Sequence, residues 1–229
     1  MKHKIAVFSG DLCSIVGGVP CSACDHMAEQ LWPIEAWGNS FVVASPTNRT
    51  SHKLTVVAKD NGTVVNIAGQ APINLNSGEY YHFNSSGNKF VTSNFPISVG
   101  QFTYGQDCSS TLGDPMFTTI IPTDQMVSDW SYYAFTSGST LTPYDSYITV
   151  IKPTSNPSPI LLDGIAIPNA SFQALGAYRI AKIPIPVMGV EHTLSSAGGF
   201  QAYAYGLGAA KSYYLNSGIS GTGMELDFD

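Results

Sequence analysis

Charge is what this sequence has least of: Asp, Glu, Lys and Arg together make up 11% of its 229 residues, against about 25% in an ordinary soluble domain. Long amphipathic helices need Ala, Leu, Glu, Lys and Arg on their exposed faces, so this shortage argues against a helical bundle and against an α/β fold. Basic residues are scarcer still. Ten Lys and Arg against sixteen Asp and Glu leave a net charge of -6, and the cations are too scattered to neutralise a run of phosphates, which removes nucleic acid from the expected partners. No apolar run approaches the roughly 18 residues that a membrane-spanning helix needs, so no membrane insertion is expected. The opening Met1-Lys2-His3-Lys4 imitates the charged start of a signal peptide. Its apolar run, Ile5-Ala6-Val7-Phe8, stops at Ser9-Gly10-Asp11, too short for an h-region.

What fills the space is Ser, Thr, Asn, 22 Gly and a large aromatic set of 12 Tyr, 11 Phe and 3 Trp. Short apolar or alternating runs recur between turn signals: Ile5 to Phe8, Phe41 to Ala44, Leu54 to Ala58, Val64 to Ile67, Tyr80 to Phe83 and Ile97 to Phe102. Each reads as a strand. Asp60-Asn61-Gly62 reads as a tight hairpin turn, because Asn and Gly accept positive φ, and Asn76-Ser77-Gly78 marks the next reversal. Only Asp25 to Leu31 reads as a short helix.

The second half repeats the first. Asp25-His26-Met27 and then Pro33 return as Asp114-Pro115-Met116 and then Pro122; Leu54-Thr55-Val56-Val57 returns as Ile148-Thr149-Val150-Ile151; Phe102-Thr103-Tyr104-Gly105 returns as Tyr203-Ala204-Tyr205-Gly206. The opening Val7-Phe8-Ser9-Gly10 resembles the same closing strand, so each unit starts with the strand type that ends the one before it. The expected fold is therefore all-β: two tandem duplicated antiparallel β-sandwich units packed together, sharing an edge or interleaved, with Ig-like and jelly-roll topologies both open. The expected units are 1–111, with an N-terminal disulfide loop, and 112–218. Residues 219–229 form an unassigned tail.

The four cysteines, Cys13, Cys21, Cys24 and Cys108, are even in number and three sit in a loop rich in Gly, Pro and Ser, which favours two disulfides in an oxidising compartment. A metal site at Cys21, Cys24 and His26 is the competing reading, weakened because no second close pair of ligands follows. Asn48-Arg49-Thr50, Asn61-Gly62-Thr63, Asn84-Ser85-Ser86 and Asn169-Ala170-Ser171 are glycosylation sequons.

Three segments carry a family resemblance. The first is Ala6-Val7-Phe8-Ser9-Gly10 with Cys13, Ala23-Cys24-Asp25-His26, Glu29-Gln30-Leu31, Pro33 and Trp37-Gly38 before Phe41-Val42-Val43. The second is Gly100-Gln101-Phe102 and Gly105-Gln106, then Gly113-Asp114-Pro115, Pro122, Gln125 and Ser128-Asp129. The third is Ile160-Leu161-Leu162-Asp163-Gly164, then His192-Thr193-Leu194 and Ala202-Tyr203-Ala204-Tyr205-Gly206. Together they resemble the N-terminal domain family of the IgG Fc-binding protein, a module of mucus and surface proteins. The resemblance implies a secreted or cell-surface β module engaged in adhesion or mucosal interaction. It also favours a Cys13–Cys24 bridge, both positions lying on family motifs, which leaves Cys21 with Cys108, two cysteines outside the family pattern. The alternative pairing joins Cys13 to Cys108 and Cys21 to Cys24.

Residues able to carry chemistry are few. Asp25, His26 and Glu29 would share a helical turn, but the repeat turns His26 into Pro115 and Glu29 into Thr118 while keeping the aspartate. Asp25 and Asp114 are accordingly expected to cap equivalent short helices rather than to form a catalytic or metal site. His192 after Glu191 is the one further element suited to nucleophilic catalysis, and no Gly-x-Ser-x-Gly elbow accompanies it. The aromatic surplus points elsewhere. Trp130, Tyr132, Tyr133 and Tyr144 are the candidate binding residues, with Tyr213-Tyr214 as a further pair, and strand alternation puts Trp130 and Tyr132 on one face and Tyr133 on the other. The expected function is a non-enzymatic binding or adhesion module with no metal or cofactor, recognising a cell-surface or mucus glycan or glycoprotein, with homo-oligomers such as a trimer in a fibre as a further association. The alternatives are a structural spacer in a fibre or mucus network and, third, a glycan-acting enzyme.

Overall fold

A computed structural model describes residues 5–18, 21–109, 111–136 and 143–221. Its strands are β1 (Phe8–Ile15), β2 (Cys24–Gln30), β3 (Gly38–Val43), β4 (Ser51–Ala58), β5 (Thr63–Ile67), β6 (Ile73–Leu75), β7 (Tyr80–Ser86) and β8 (Lys89–Thr103), followed by the four-residue helix α1 (Gln106–Ser109). Then come β9 (Phe117–Thr119), β10 (Val127–Tyr133), β11 (Asp145–Pro153), β12 (Leu161–Leu162), β13 (Ile165–Ala166), β14 (Gln173–Leu175), β15 (Tyr178–Ile185), β16 (Glu191–Gly208) and β17 (Lys211–Asn216). The fold is all-β, and every strand pairing is antiparallel.

Two strands organise everything. In the first unit β8 pairs with β3 and β5 along its first half and with β4 and β9 along its second, while β7 extends the sheet from β4. In the second unit β16 does the same with β10 and β12, then with β11 and β17, and β15 extends the sheet from β11. Even the irregularity is duplicated. Register slips between Gly38↔Ile97 and Ser40↔Thr92 in one unit, and between Val127↔Phe200 and Asp129↔Ser195 in the other. Such a break bends a long strand, so each sheet curls into a half-barrel whose two ends face each other across its own core.

The Asn61-Gly62 turn makes a corner instead of the expected hairpin. Gly62 has φ +71°, yet β4 and β5 do not pair; both lie against β8, at different heights along it.

The units stack front to back. The first core contains Phe41, Leu54, Val56, Val65, Val91, Ile97 and Val99 from the first sheet, and it is completed by Ile151, Ile180, Tyr203, Tyr205, Leu207 and Tyr214 from the second. The opposite face of that second sheet, with Ile148, Val150, Phe200, Ala202 and Ala204, lines the second core. Residues 200–208 are thus buried on both faces, which explains an apolar run where a one-sided strand would alternate. Hydrogen bonds lock the stack. Thr47 N–H donates to Tyr205 Oη at 2.8 Å, Ile121 N–H to Tyr203 Oη at 2.9 Å, and Tyr214 Oη–H to Gln101 Oε1 at 2.9 Å. Gln201 Nε2 donates to the carbonyls of Ile121 and Pro122.

Arg49 is buried at the same joint. It donates to the carbonyls of Thr111 and Leu112 at 3.1 and 2.7 Å, and burial lowers its pKa to about 10, so it stays charged.

Asp25 and Asp114 cap no helix. Residues 24–30 form β2, because Asp25, Met27 and Glu29 turn inward while His26, Ala28 and Gln30 face out, a period of two that pairing with β1 rewards. Among the described residues Asp25 accepts from the adjacent His26 N–H, at 2.7 Å, and Asp114 lies in an irregular segment before β9. Cys13 is joined to Cys24 and Cys21 to Cys108, with Cα separations of 5.0 and 5.4 Å, inside the range disulfides occupy. The second bridge ties the β1–β2 hairpin to α1. Of the C-terminal tail, Ile219 packs on the first core; Met224–Asp229 lies outside the described residues.

Candidate functional site: an aromatic end of the second unit

At one end of the second half-barrel the chain reverses between β10 and β16 and between β11 and β15. Ala134 N–H donates to Val190 O at 2.9 Å and Gly189 N–H to Ala134 O at 2.8 Å, which clamps the segment after β10 against the turn before β16. Tyr133, 53% exposed, donates its hydroxyl to Gly189 O at 2.6 Å, fixing its ring flat along this rim. Phe135 stands edge-on to Tyr213 at 5.0 Å, and Tyr144 stands edge-on to the other side of Tyr213 at 5.1 Å. Lys211 Nζ lies 4.7 Å above the Tyr144 ring and holds it by a cation–π contact. Ser146 Oγ bridges Tyr213 Oη at 3.0 Å and Met188 S at 3.4 Å. The result is an aromatic ridge of Phe135, Tyr213 and Tyr144, with Tyr133, Val187 and Val190 exposed beside it.

A cleft lies on each side of the ridge. One, of about 270 Å3, is lined by Pro143, Tyr144, Asp145, Tyr147, Pro186 and Met188, among others. The other, of about 240 Å3, has Phe135, Tyr213, Ser212 and, from the hairpin, His26 and Met27 among its walls. Both fall below the ~300 Å3 at which enclosed small-molecule pockets begin. Burial pushes the phenols of Tyr144 and Tyr213 up from their ordinary value, so both hydroxyls stay protonated across the physiological range. Ring faces for stacking thus sit beside hydroxyl donors and the Asp145 carboxylate.

The four candidate aromatics divide. Tyr133 and Tyr144 reach this end. Trp130 and Tyr132 stack on each other at 4.9 Å on the inner side of β10, where Tyr132 is 6% exposed and belongs to the second core, so that face is not presented to a ligand. Phe135, Val187, Met188 and Val190 were not singled out from the sequence. Continued alternation after Tyr133 was a signal for Phe135; Val187, Met188 and Val190 lie in the turn before β16, where strand periodicity gives none.

Glu29 and His192 are held in structural bonds. Glu29 Oε1 accepts from Asn216 Nδ2 at 2.7 Å, Thr119 Oγ1 at 2.9 Å and Thr119 N–H at 3.2 Å, clasping the hairpin to β9 and β17; burial outweighs these bonds and raises its pKa. His26 points the other way, so the Asp25, His26 and Glu29 set is not brought together. His192 Nδ1 meets Asp163 Oδ2 at 2.7 Å and its Nε2 meets Val187 O at 2.8 Å. Both partners are acceptors, so only the imidazolium satisfies both. Burial alone would lower the His192 pKa, but the Asp163 and Val187 bonds outweigh it and raise it. With both ring nitrogens engaged, His192 ties Asp163 to Val187 beneath the rim. All four thiols are in bridges, which removes the ligands for a Cys-based metal site.

Two similar all-β units tied by two disulfides, with an aromatic end, define the molecule at this level. A family model described as "IgGFc binding protein" matches residues 2–206, and the chain belongs to that family. No curated protein and no solved structure matches it.

Proposed function

We propose that this chain is an extracellular binding module of adhesive type that recognises a glycan, free or on a glycoprotein, through the aromatic end of its second unit. The carrying observation is the ridge of Tyr144, Tyr213 and Phe135 between two shallow clefts. Pyranose rings present flat C–H faces that stack on aromatic rings, and their hydroxyls are met by tyrosine hydroxyls and a carboxylate such as Asp145. Disulfides and membership of a family described by a binding activity support an oxidising, extracellular setting. The four sequon asparagines, Asn48, Asn61, Asn84 and Asn169, are all exposed, as acceptors in such a setting must be.

A glycan and glycoprotein array, followed by cell retention, tests the reading. The native protein is expected to be retained on a restricted set of glycans, and Tyr144→Ala to weaken that binding by roughly tenfold or more, the loss of one aromatic anchor. Silence at high micromolar protein would favour the spacer reading, which the packing of the second sheet into the first core also supports, since it couples the two units.

A further inference from the structure

The pairing plan shared by the two units occurs a third time, in part. The second half of β8 lies between β9 on one edge, with Gly100↔Thr119 and Phe102↔Phe117, and β4 on the other, with Thr55↔Gly100 and Lys53↔Phe102. The second half of β16 lies likewise between β17 and β11. β1 pairs with β2 from Phe8↔Gln30 to Ile15↔Cys24. β2 carries the Asp25-His26-Met27 and Pro33 pattern that recurs around β9 as Asp114-Pro115-Met116 and Pro122, and Met27 and Met116 are both buried. A bridged cysteine accompanies two of these strands: Cys13 sits in the bulge of β1, and Cys108 follows β8. β1 therefore stands where the second half of β8 or β16 stands, and β2 where β9 or β17 stands. The neighbour that β4 and β11 supply has no counterpart at β1: among the described residues β1 pairs with β2 alone.

The side chains agree. Phe8 is 68% and Leu12 85% exposed, and Val7 and Ile15 are exposed with them. β1 carries neither Lys nor Pro, the residues that commonly protect a free strand edge. Yet the hairpin is firmly held: Cys21–Cys108 anchors its loop, Asp107 accepts from Ala23 N–H at 2.8 Å and from Ser22 Oγ at 2.9 Å, and Glu29 clasps its far strand to Thr119 and Asn216. The bulge at Leu12 and Cys13 and the charge of Asp11 interrupt this edge only in its middle, and the held Phe8–Gly10 stretch with its exposed apolar side chain is a template for strand addition.

We infer that the free edge of β1 accepts an antiparallel strand of the β4 and β11 kind, carried by another half-barrel of this same fold, so that units join end to end by completing a sheet. The pairing that covers the equivalent edge in both units names the occupant: an extended segment with β-branched residues on alternate positions, as in Leu54-Thr55-Val56-Val57 and Ile148-Thr149-Val150-Ile151. This edge lies on the side of the hairpin away from the cleft that His26 and Met27 line, and the inference does not depend on the glycan reading.

The test uses a synthetic peptide with the sequence of residues 145–153, blocked at both termini, added to the whole chain while amide exchange is followed by mass spectrometry. At saturating peptide the amides of Phe8–Ile15 are expected to exchange roughly tenfold more slowly or better. The variant Phe8→Lys with Leu12→Lys, both at exposed positions and checked for native melting, is expected to lose that protection. Unchanged exchange of β1 at millimolar peptide overturns the inference, as does protection that persists in the double variant.

Discussion

Tyr205 tests whether the two half-barrels share one core or merely touch. Its ring is fully buried, packs at 5.6 Å on both Tyr147 and Tyr214, and sends its hydroxyl across the joint to Thr47. Replacing a buried aromatic ring by alanine costs about 3–5 kcal/mol through lost burial and the cavity left behind. The stranded Thr47 N–H adds about 1–3 kcal/mol, part of it overlapping with the first figure. Tyr205→Ala should therefore lose about 4–6 kcal/mol, or about 10–20 °C in Tm at the ~2–4 °C per kcal/mol of a chain this long. Tyr205→Phe, which keeps the ring but strands the Thr47 amide and the Thr47 and Thr149 hydroxyls, should lose about 1–3 kcal/mol. The decisive readout is amide exchange in urea: in the alanine variant β4 of the first unit and β11 of the second should lose protection at the same midpoint. If β11 and β15 stay protected where β4 and β8 have already exchanged, the cores are independent and the stacking account is refuted.

Cys21→Ser with Cys108→Ser should free the β1–β2 hairpin more than either core, because the bridge closes a long loop worth about 4–5 kcal/mol in the chain-entropy model; exchange should rise at residues 8–30 first, and uniform loss across β4 and β11 would contradict the assignment. The His192–Asp163 pair should leave a pH signature. His192 has its pKa raised, so its contribution is complete below the unfolded value of about 6.5 and is lost as pH rises through the folded value. In Asp163 burial raises the pKa, but hydrogen bonds from His192 and Thr193 N–H outweigh it and leave it lowered, so its contribution is complete above about 3.9 and is lost as pH falls. Urea midpoints should therefore decline with rising pH above about 6.5 in the native protein, and His192→Gln should flatten that limb; an unchanged slope would remove His192 as its cause.

Much of the architecture was legible in the sequence because its signals are local. The shortage of charged helix formers and the turn residues define strands, and the recurrence of Leu54-Thr55-Val56-Val57 as Ile148-Thr149-Val150-Ile151 exposes the duplication, since corresponding strands keep their face pattern. What stayed hidden depends on contacts distant in sequence. Asp25 to Leu31 fits a capped helical turn as well as a strand, and only pairing with β1 decides between them. Asn61-Gly62 specifies a reversal but not whether the flanking strands pair with each other or both with β8. Tyr203 and Tyr205 look like any inward-facing aromatics until the back of the second sheet is seen to fill the first core. At the candidate site Tyr133 and Tyr144 were identifiable by type. Their separation from Trp130 and Tyr132 follows from which side of β10 faces the second core, and the part played by Phe135 and Tyr213 follows from the packing of β17 beside the rim.

The most direct measurement of the functional claim is a titration of the strongest array ligand into isotopically labelled protein, following amide and tyrosine ring resonances. The largest shifts are expected in residues 133–136, 143–147, 186–190 and 211–215, with smaller ones at His26 and Met27 in the wall of the second cleft and none in β4 to β7. Saturable shifts confined to the first unit or to the β1–β2 hairpin, with the aromatic end silent, would contradict it.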